Sequence, residues 1–311
     1  MTDNTIERVK ELQTNAVWSI GIYRGPDPFN LGPAPGAANP VMTRVHVTDI
    51  AADFVADPFL FRAQDRWHLF FEAMNSKTGR GDIGLAVSDD ELRWEYRQIV
   101  LTEPFHLSYP YVFEWQDDIY MIPETYQAGA VRLYRADPFP TQWTFVRELI
   151  RAPYIVDASI FRHDDKWFLF ADTSLNAAHD TLRLFYSEEL TGPWIEHPKS
   201  PLIVGHPYVA RPAGRVIHIN DNPVRFTQGC KPHYGTNVRA FEIVELTLTT
   251  YREQEARPTP ILGPTGAGWN AHGMHHVDAH LVNGSWIASV DGWYNPKLQA
   301  NGNPPNLSKG G

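Results

Sequence analysis

A hairpin-sized unit recurs five times in this chain at a spacing of roughly 50 residues, a period that marks propellers and solenoids. The units begin ADPFLFRAQDRWHLFFEA, SYPYVFEWQDDIYMIPET, VDASIFRHDDKWFLFADT, GHPYVARPAGRVIHIND and MHHVDAHLVNGSWIASVD. Aligned, they put Asp57, Tyr109, Asp157, His206 and His276 in a first column, where the first strand starts. Fifteen residues later a second column holds Glu72, Glu124, Asp172, Asp221 and Asp291. In an antiparallel hairpin the start of one strand and the end of the next lie at the same edge of the sheet. Both columns are therefore expected at one end of the molecule. If five blades circle an axis, that end collects seven carboxylates, two histidines and a tyrosine. Like charges held together disfavour their own ionised forms, so such a gathering points to chemistry rather than to scaffolding.

The expected fold is all-β: a five-bladed β-propeller over residues 16–295, preceded by a helical arm at 1–15 and followed by a flexible tail at 296–311. Ile6, Val9 and Leu12 give the arm its helical spacing after Thr2, Asp3 and Asn4. Hydrophobic residues make up 43% and aromatic residues 13% of the chain, enough for a large core of packed sheets. Blade four is read as Tyr208–Ala210, Val216–Asn220 and Val238–Glu245, with an edge strand near Thr249–Arg252. Blade five lacks outer strands of its own. The segment WSIGIYRG resembles the third strands of other blades, so Ala16–Arg24 is expected to complete blade five and remove an exposed edge. Arg44–Val47 is the candidate for its last strand. Trp94, Trp143 and Trp194 each begin an outermost strand, as blade-edge packing residues.

Several function classes are disfavoured. The net charge is −9 and no basic stripe is present, which argues against nucleic acid. No run of 18 apolar residues suggests a membrane span. Cys230 is the single cysteine, which fits a reducing cytoplasm; with no signal-peptide core at the start of the sequence, a cytoplasmic location is the expectation.

Glycoside hydrolysis needs two carboxyl groups facing a sugar, one ionised and one protonated, and a third nearby raises the acid's pKa. The ADPF and VDASIF strand starts, the FYSEELTGPW turn and the five-fold period resemble the five-bladed propeller hydrolases of glycoside hydrolase family 43 and its relatives in families 32, 68 and 117. From about Asp57 to Arg252, phrases such as FFEAMN, FHLSYPYVFEW and YMIPETYQA resemble more closely the N-terminal propeller domain of glucosamine inositolphosphorylceramide transferases and its bacterial relatives. The family 43 resemblance implies Asp57 as general base and Asp157 as the carboxylate that tunes the acid and orients substrate. It also implies an acid glutamate from blade four, where this chain offers His206 instead. His206, Glu124 and Glu72 are thus the candidates for the acid.

Substrate contacts are expected from Glu72, Tyr109, Tyr111, Asp172, Asp221, His276, Asp291, Trp269 and Trp293. For Asp172, Asp221 and Asp291, turn chemistry is the competing reading. For each aromatic, core packing is. GMHH loosely resembles the metal-adjacent histidine of related propellers, which makes His275 and His276 candidate neighbours of a central calcium; no cofactor is otherwise required. The leading expectation is a carbohydrate-active enzyme that hydrolyses or transfers a glycosyl unit of a glycan or glycoconjugate. The alternative is a non-catalytic glycan-binding or scaffold domain serving a partner glycosyltransferase.

Overall fold

Five tight turns of one kind set the frame. Gln64–Asp65, Gln116–Asp117, Asp164–Asp165, Asn220–Asp221 and Asn283–Gly284 all have positive φ at both positions. That is the backbone of a type I′ hairpin turn, whose twist matches the flanking strands. Each turn joins the two inner strands of one blade in a computed structural model that describes residues 15–175 and 178–299.

Strands are numbered along the chain. β1 (Val17–Gly25) and β2 (Gly32–Pro33) come first, then blade one: β3 (Ala52–Ala63), β4 (Arg66–Asn75), β5 (Arg80–Ser88) and β6 (Glu95–Leu101). Blade two is β7 (Ser108–Trp115), β8 (Asp118–Glu124), β9 (Ala130–Ala136) and β10 (Trp143–Arg151). Blade three is β11 (Val156–His163), β12 (Lys166–Asp172), β13 (Leu182–Ser187) and β14 (Ile195–Glu196). Blade four is β15 (Ile217–Ile219), β16 (Asn222–Gly229), β17 (Asn237–Leu246) and β18 (Tyr251–Glu255). β19 (Val277–Val282) and β20 (Ser285–Tyr294) form the inner half of blade five. Its sheet order is β19-β20-β1-β2, so the expected closure by an N-terminal strand is present. β1 runs antiparallel to β20 from Val17 opposite Tyr294 to Gly25 opposite Trp286.

Apolar side chains of neighbouring blades meet between the sheets. Ile122 and Leu133 of blade two pack with Ile160 and Leu169 of blade three. Ile20 and Ile22 of β1 pack with Leu60 and Leu69 of blade one, and Phe226 and Val238 of blade four with Val277 and Ala288 of blade five. The outer-turn tryptophans share one role. The indole N–H groups of Trp94, Trp143 and Trp194 donate to the carbonyls of Glu91, Pro140 and Leu190, tying each outer turn to the strand it feeds.

Four boundaries differ from the sequence reading. The last strand of blade five is β2, and Arg44–His46 is a 3-10 turn. Tyr208–Ala210 lies outside any strand, while β16, which the sequence reading assigned to no strand, is the second strand of blade four. Pro296–Gln299, assigned to a tail, forms one helical turn. The proposed arm helix lies outside the described residues.

The correction in blade four moves the columns. Asp57, Tyr109 and Asp157 each precede the first turn residue of their hairpin by seven. Counting back seven from Asn220 gives Ala213, not His206; fifteen further on lies Gln228, not Asp221. Asp221 is itself a turn residue and exposed, at the opposite end of the hairpin from the columns. In blade five the same count returns His276 and Asp291, as expected.

Candidate functional site

Three first-column residues share a backbone strain. Asp57, Tyr109 and Asp157 have φ of 52°, 45° and 53°. At each, the pairing of the first two strands skips register: between Ala56 and Phe59, Ser108 and Tyr111, and Val156 and Ser159. Such bulges re-aim side chains at sheet ends, and positive φ is costly for a residue with a Cβ.

Two of these side chains take structural positions. The Tyr109 hydroxyl crosses the axis to Gly214, accepting its N–H at 2.5 Å and donating to its carbonyl at 3.0 Å. Its ring stands edge-on to Phe59 and His276. Asp157 binds Arg211, with Nε at 2.5 Å from Oδ2, and takes a further bond from Gln228 at 3.2 Å. One layer along the axis, Arg215 pairs with Asp278 at 2.8 Å and donates to the carbonyl of Val112, while Leu60 N–H donates to Asp278. These contacts fill the axis, and one of their members, Arg211, also lines a cavity of about 280 Å³. That is just under the roughly 300–1,000 Å³ of sites for drug-sized ligands, and suits one small ligand unit.

The cavity is lined by the carboxyls of Asp57, Glu72 and Glu124, by His106, His275 and Arg211, and by aromatic walls that include Trp18, Tyr126, Tyr154 and Tyr234. Burial pushes the Asp57 carboxyl up to about 7, against the lowering effect of His275. Burial again, then the neighbouring Asp57 and Glu124, hold Glu72 well above the usual range. Glu124 is pushed up to about 8 by burial, opposed by the Tyr126 N–H. That N–H donates to Glu124 Oε1 at 2.5 Å, so the proton of the neutral acid belongs on Oε2.

Asp57 is held from behind. Its N–H donates to Asp291 Oδ2 at 3.0 Å; Asp291 Oδ1 meets His275 Nδ1 at 2.7 Å; His275 Nε2 lies 3.6 Å from Asp57 Oδ1. The chain Asp291–His275–Asp57 keeps Asp291 low, through His275, and raises His275, whose burial is outweighed by Asp291. Asp57, His275 and Asp291 also bring one ligand atom each within 4.8 Å of one another. The set does not make a calcium shell, which takes six to eight oxygens: both Asp291 oxygens are engaged by protein donors. His276 sits beneath, with Nδ1 3.7 Å from Asp57 Oδ1, and burial lowers it to about 4, leaving it neutral.

Of the residues singled out from sequence, the cavity thus brings together Asp57, Glu72, Glu124 and His275. Asp157, Tyr109, Tyr111, His276 and Asp291 are buried around it, not in its lining. Asp172 is buried and accepts from the Ser174 N–H at 2.8 Å, which is turn chemistry. His206 is exposed, stacks edge-on with Tyr208 and does not line the cavity, because it precedes the blade-four strand by a loop. Trp269 packs against Gly21 and Gly292, and Trp293 is fully buried with its N–H on Gly235 O; both are packing residues. Sequence reasoning missed His106, Arg211, Tyr154 and Tyr234. All lie outside the observed strands, in connections between or within blades. The one available signal was the turn spacing, which places Arg211 two residues before the true first column of blade four.

Residues 11–293 match the family model described as glucosamine inositolphosphorylceramide transferase 1, N-terminal. The chain is 36% identical over 296 residues to glucosamine inositolphosphorylceramide transferase 1 of Oryza sativa subsp. japonica, covering 88% of this chain and 40% of that protein. It therefore spans well under half the length of this relative. Among solved structures, the β-1,2-mannobiose phosphorylase of Listeria innocua is similar with a TM-score of 0.62 and 15% identity, over 90% of this chain and 98% of that one. A thermostable family 43 glycoside hydrolase is similar with a TM-score of 0.56 and 14% identity, over 77% and 88%. At these identities the structural likeness speaks for the fold. Among the described residues no helix is long and apolar enough to cross a membrane.

Proposed function

The chain belongs to the family of glucosamine inositolphosphorylceramide transferase 1 N-terminal domains, and from that premise we propose that its cavity takes one terminal sugar of a glycan or glycolipid and cleaves or transfers it by acid–base catalysis. One observation carries this reading: three buried carboxyls line one cavity, with Glu124 and Asp57 held near 8 and 7. A general acid works best with a pKa near the operating pH, and burial with like-charge neighbours is how such sites are tuned. In this reading Glu124 Oε2 protonates the departing oxygen. Asp57, steadied by His275, is the base or nucleophile on the other side of the bond. Trp18 and Tyr234 line the cavity and would pack beside the sugar's C–H groups.

A second reading is a glycan-binding domain that presents substrate to a glycosyltransferase. The blade-four register favours it: Ala213 and Gln228 stand in the two columns, and Asp157 is consumed by Arg211. The test is a panel of oligosaccharides and glycosylinositol lipids followed by anomeric-proton NMR. New reducing-end or transfer signals that vanish in Glu124→Gln support the enzyme. Line broadening without new signals supports the binding domain and removes the enzyme.

A further inference from the structure

His106 lies in the crossover from β6 to β7, outside every repeat. Gly81 N–H donates to its Nδ1 at 2.9 Å, Leu107 N–H donates back to Gly81 O at 3.0 Å, and His106 N–H donates to Gln127 Oε1 at 2.9 Å. The approach is too close for a side chain: a Cβ at Gly81 would lie 2.1 Å from Leu107 O. With Nδ1 accepting, the neutral ring carries its proton on Nε2. Nε2 lies 3.5 Å from Glu72 Oε1 and 4.0 Å from Glu124 Oε2.

We infer that His106 is a positioning residue for the proton-carrying pair, its tautomer locked by Gly81 so that the Nε2–H is aimed at Glu72 and orients its acidic proton, with Glu124 the neighbour beyond. With the imidazole N–H facing Oε1 of Glu72 at 3.5 Å, the Glu72 proton is directed to Oε2, as the Tyr126 N–H directs that of Glu124. The inference rests on reading Glu72 and Glu124 as proton carriers.

Other charges reach this cluster from every side. Asp57 and Asp291 act on Glu72 from blades one and five. Arg211, Asp157 and Asp82 act on His106. Burial dominates and lowers His106, so it stays neutral and serves as a donor rather than as a cation.

The test uses carbon-13 carboxyl NMR titration of Glu72 and Glu124, with nitrogen-15 spectra of the histidine ring, and needs no turnover. The wild-type ring should show Nε2 protonated and Nδ1 bare. His106→Phe keeps the ring and removes the donor, so the Glu72 titration should move up by about one pH unit, as expected for a lost hydrogen bond to the ionised form. His106→Gln retains an N–H donor, should fall between the two, and supplies the comparison if the Phe variant does not fold. A wild-type proton on Nδ1, or a Glu72 titration unchanged by losing the donor, would overturn the inference. Neither result bears on whether sugars are turned over, which the anomeric-proton experiment decides separately.

Discussion

Arg211 and Asp157 form a buried ion pair across the blade three–blade four boundary, Nε to Oδ2 at 2.5 Å, with Gln228 donating to the same oxygen. Breaking such a pair from one side strands a buried charge, at a cost of about 3–5 kcal/mol. Arg211→Met should therefore lower the urea midpoint sharply. Adding Asp157→Asn to Arg211→Met should recover much of the loss. No recovery would mean that Arg211 stabilises by packing over Tyr234 rather than by charge.

The cavity carboxyls make stability depend on pH. A carboxyl whose folded-state pKa is raised favours folding below its unfolded value, and that contribution is lost as pH rises through the folded value. For Glu124 the window runs from 4.5 to about 8. Glu124→Gln should thus match the wild type near about pH 5 and exceed it by on the order of 1–3 kcal/mol at about pH 8–9. Denaturant curves at both pH values check this. A variant less stable than wild type at the higher pH would show that Glu124 is ionised and well paired.

Gly214 receives the Tyr109 hydroxyl at φ 130°, where a Cβ would lie 1.8 Å from Val277 O. Gly214→Ala should separate blade four from blade five and cost roughly 2–4 kcal/mol, the range of overpacking joined to backbone strain. Thermal melts should show it, and a melt within a degree or two of wild type would contradict the account of the axis.

β1 covers the outer edge of β20 along its full length. Deleting residues 15–25 should expose that edge to pairing with other chains and yield aggregated material in size-exclusion chromatography. A monodisperse deletion variant would show that blade five closes without β1.

The period of the repeat, the apolar hairpins and the unfinished last blade were enough to read the fold, including its closure by β1. Four blades kept their register because ADPF, SYPY, VDAS and HHVD sit at matching distances from their turns. Blade four went wrong because GHPY mimics a strand start, while the true first column holds Ala213, a residue with no chemical signature. The Asn220–Asp221 turn held the correct register, since its two residues play the part of Gln64–Asp65. Half the cavity was not legible for a different reason. His106 and Arg211 come from connections, where no periodicity says which way a side chain points, and their placement depends on tertiary partners such as Gly81 and Asp157.

The central claim is that the cavity carries an acid and a base of unequal protonation. The most direct test is the pH dependence of kcat/KM on a glycoside panel for the wild type, Asp57→Asn and Glu124→Gln. The account predicts a bell whose limbs lie near 7 and 8, the values at which Asp57 and Glu124 are held, and no turnover in either Asp57→Asn or Glu124→Gln with sugar binding retained in both. Saturable sugar binding by all three proteins with no glycoside cleaved or transferred at any pH would contradict it, leaving the propeller as a binding domain.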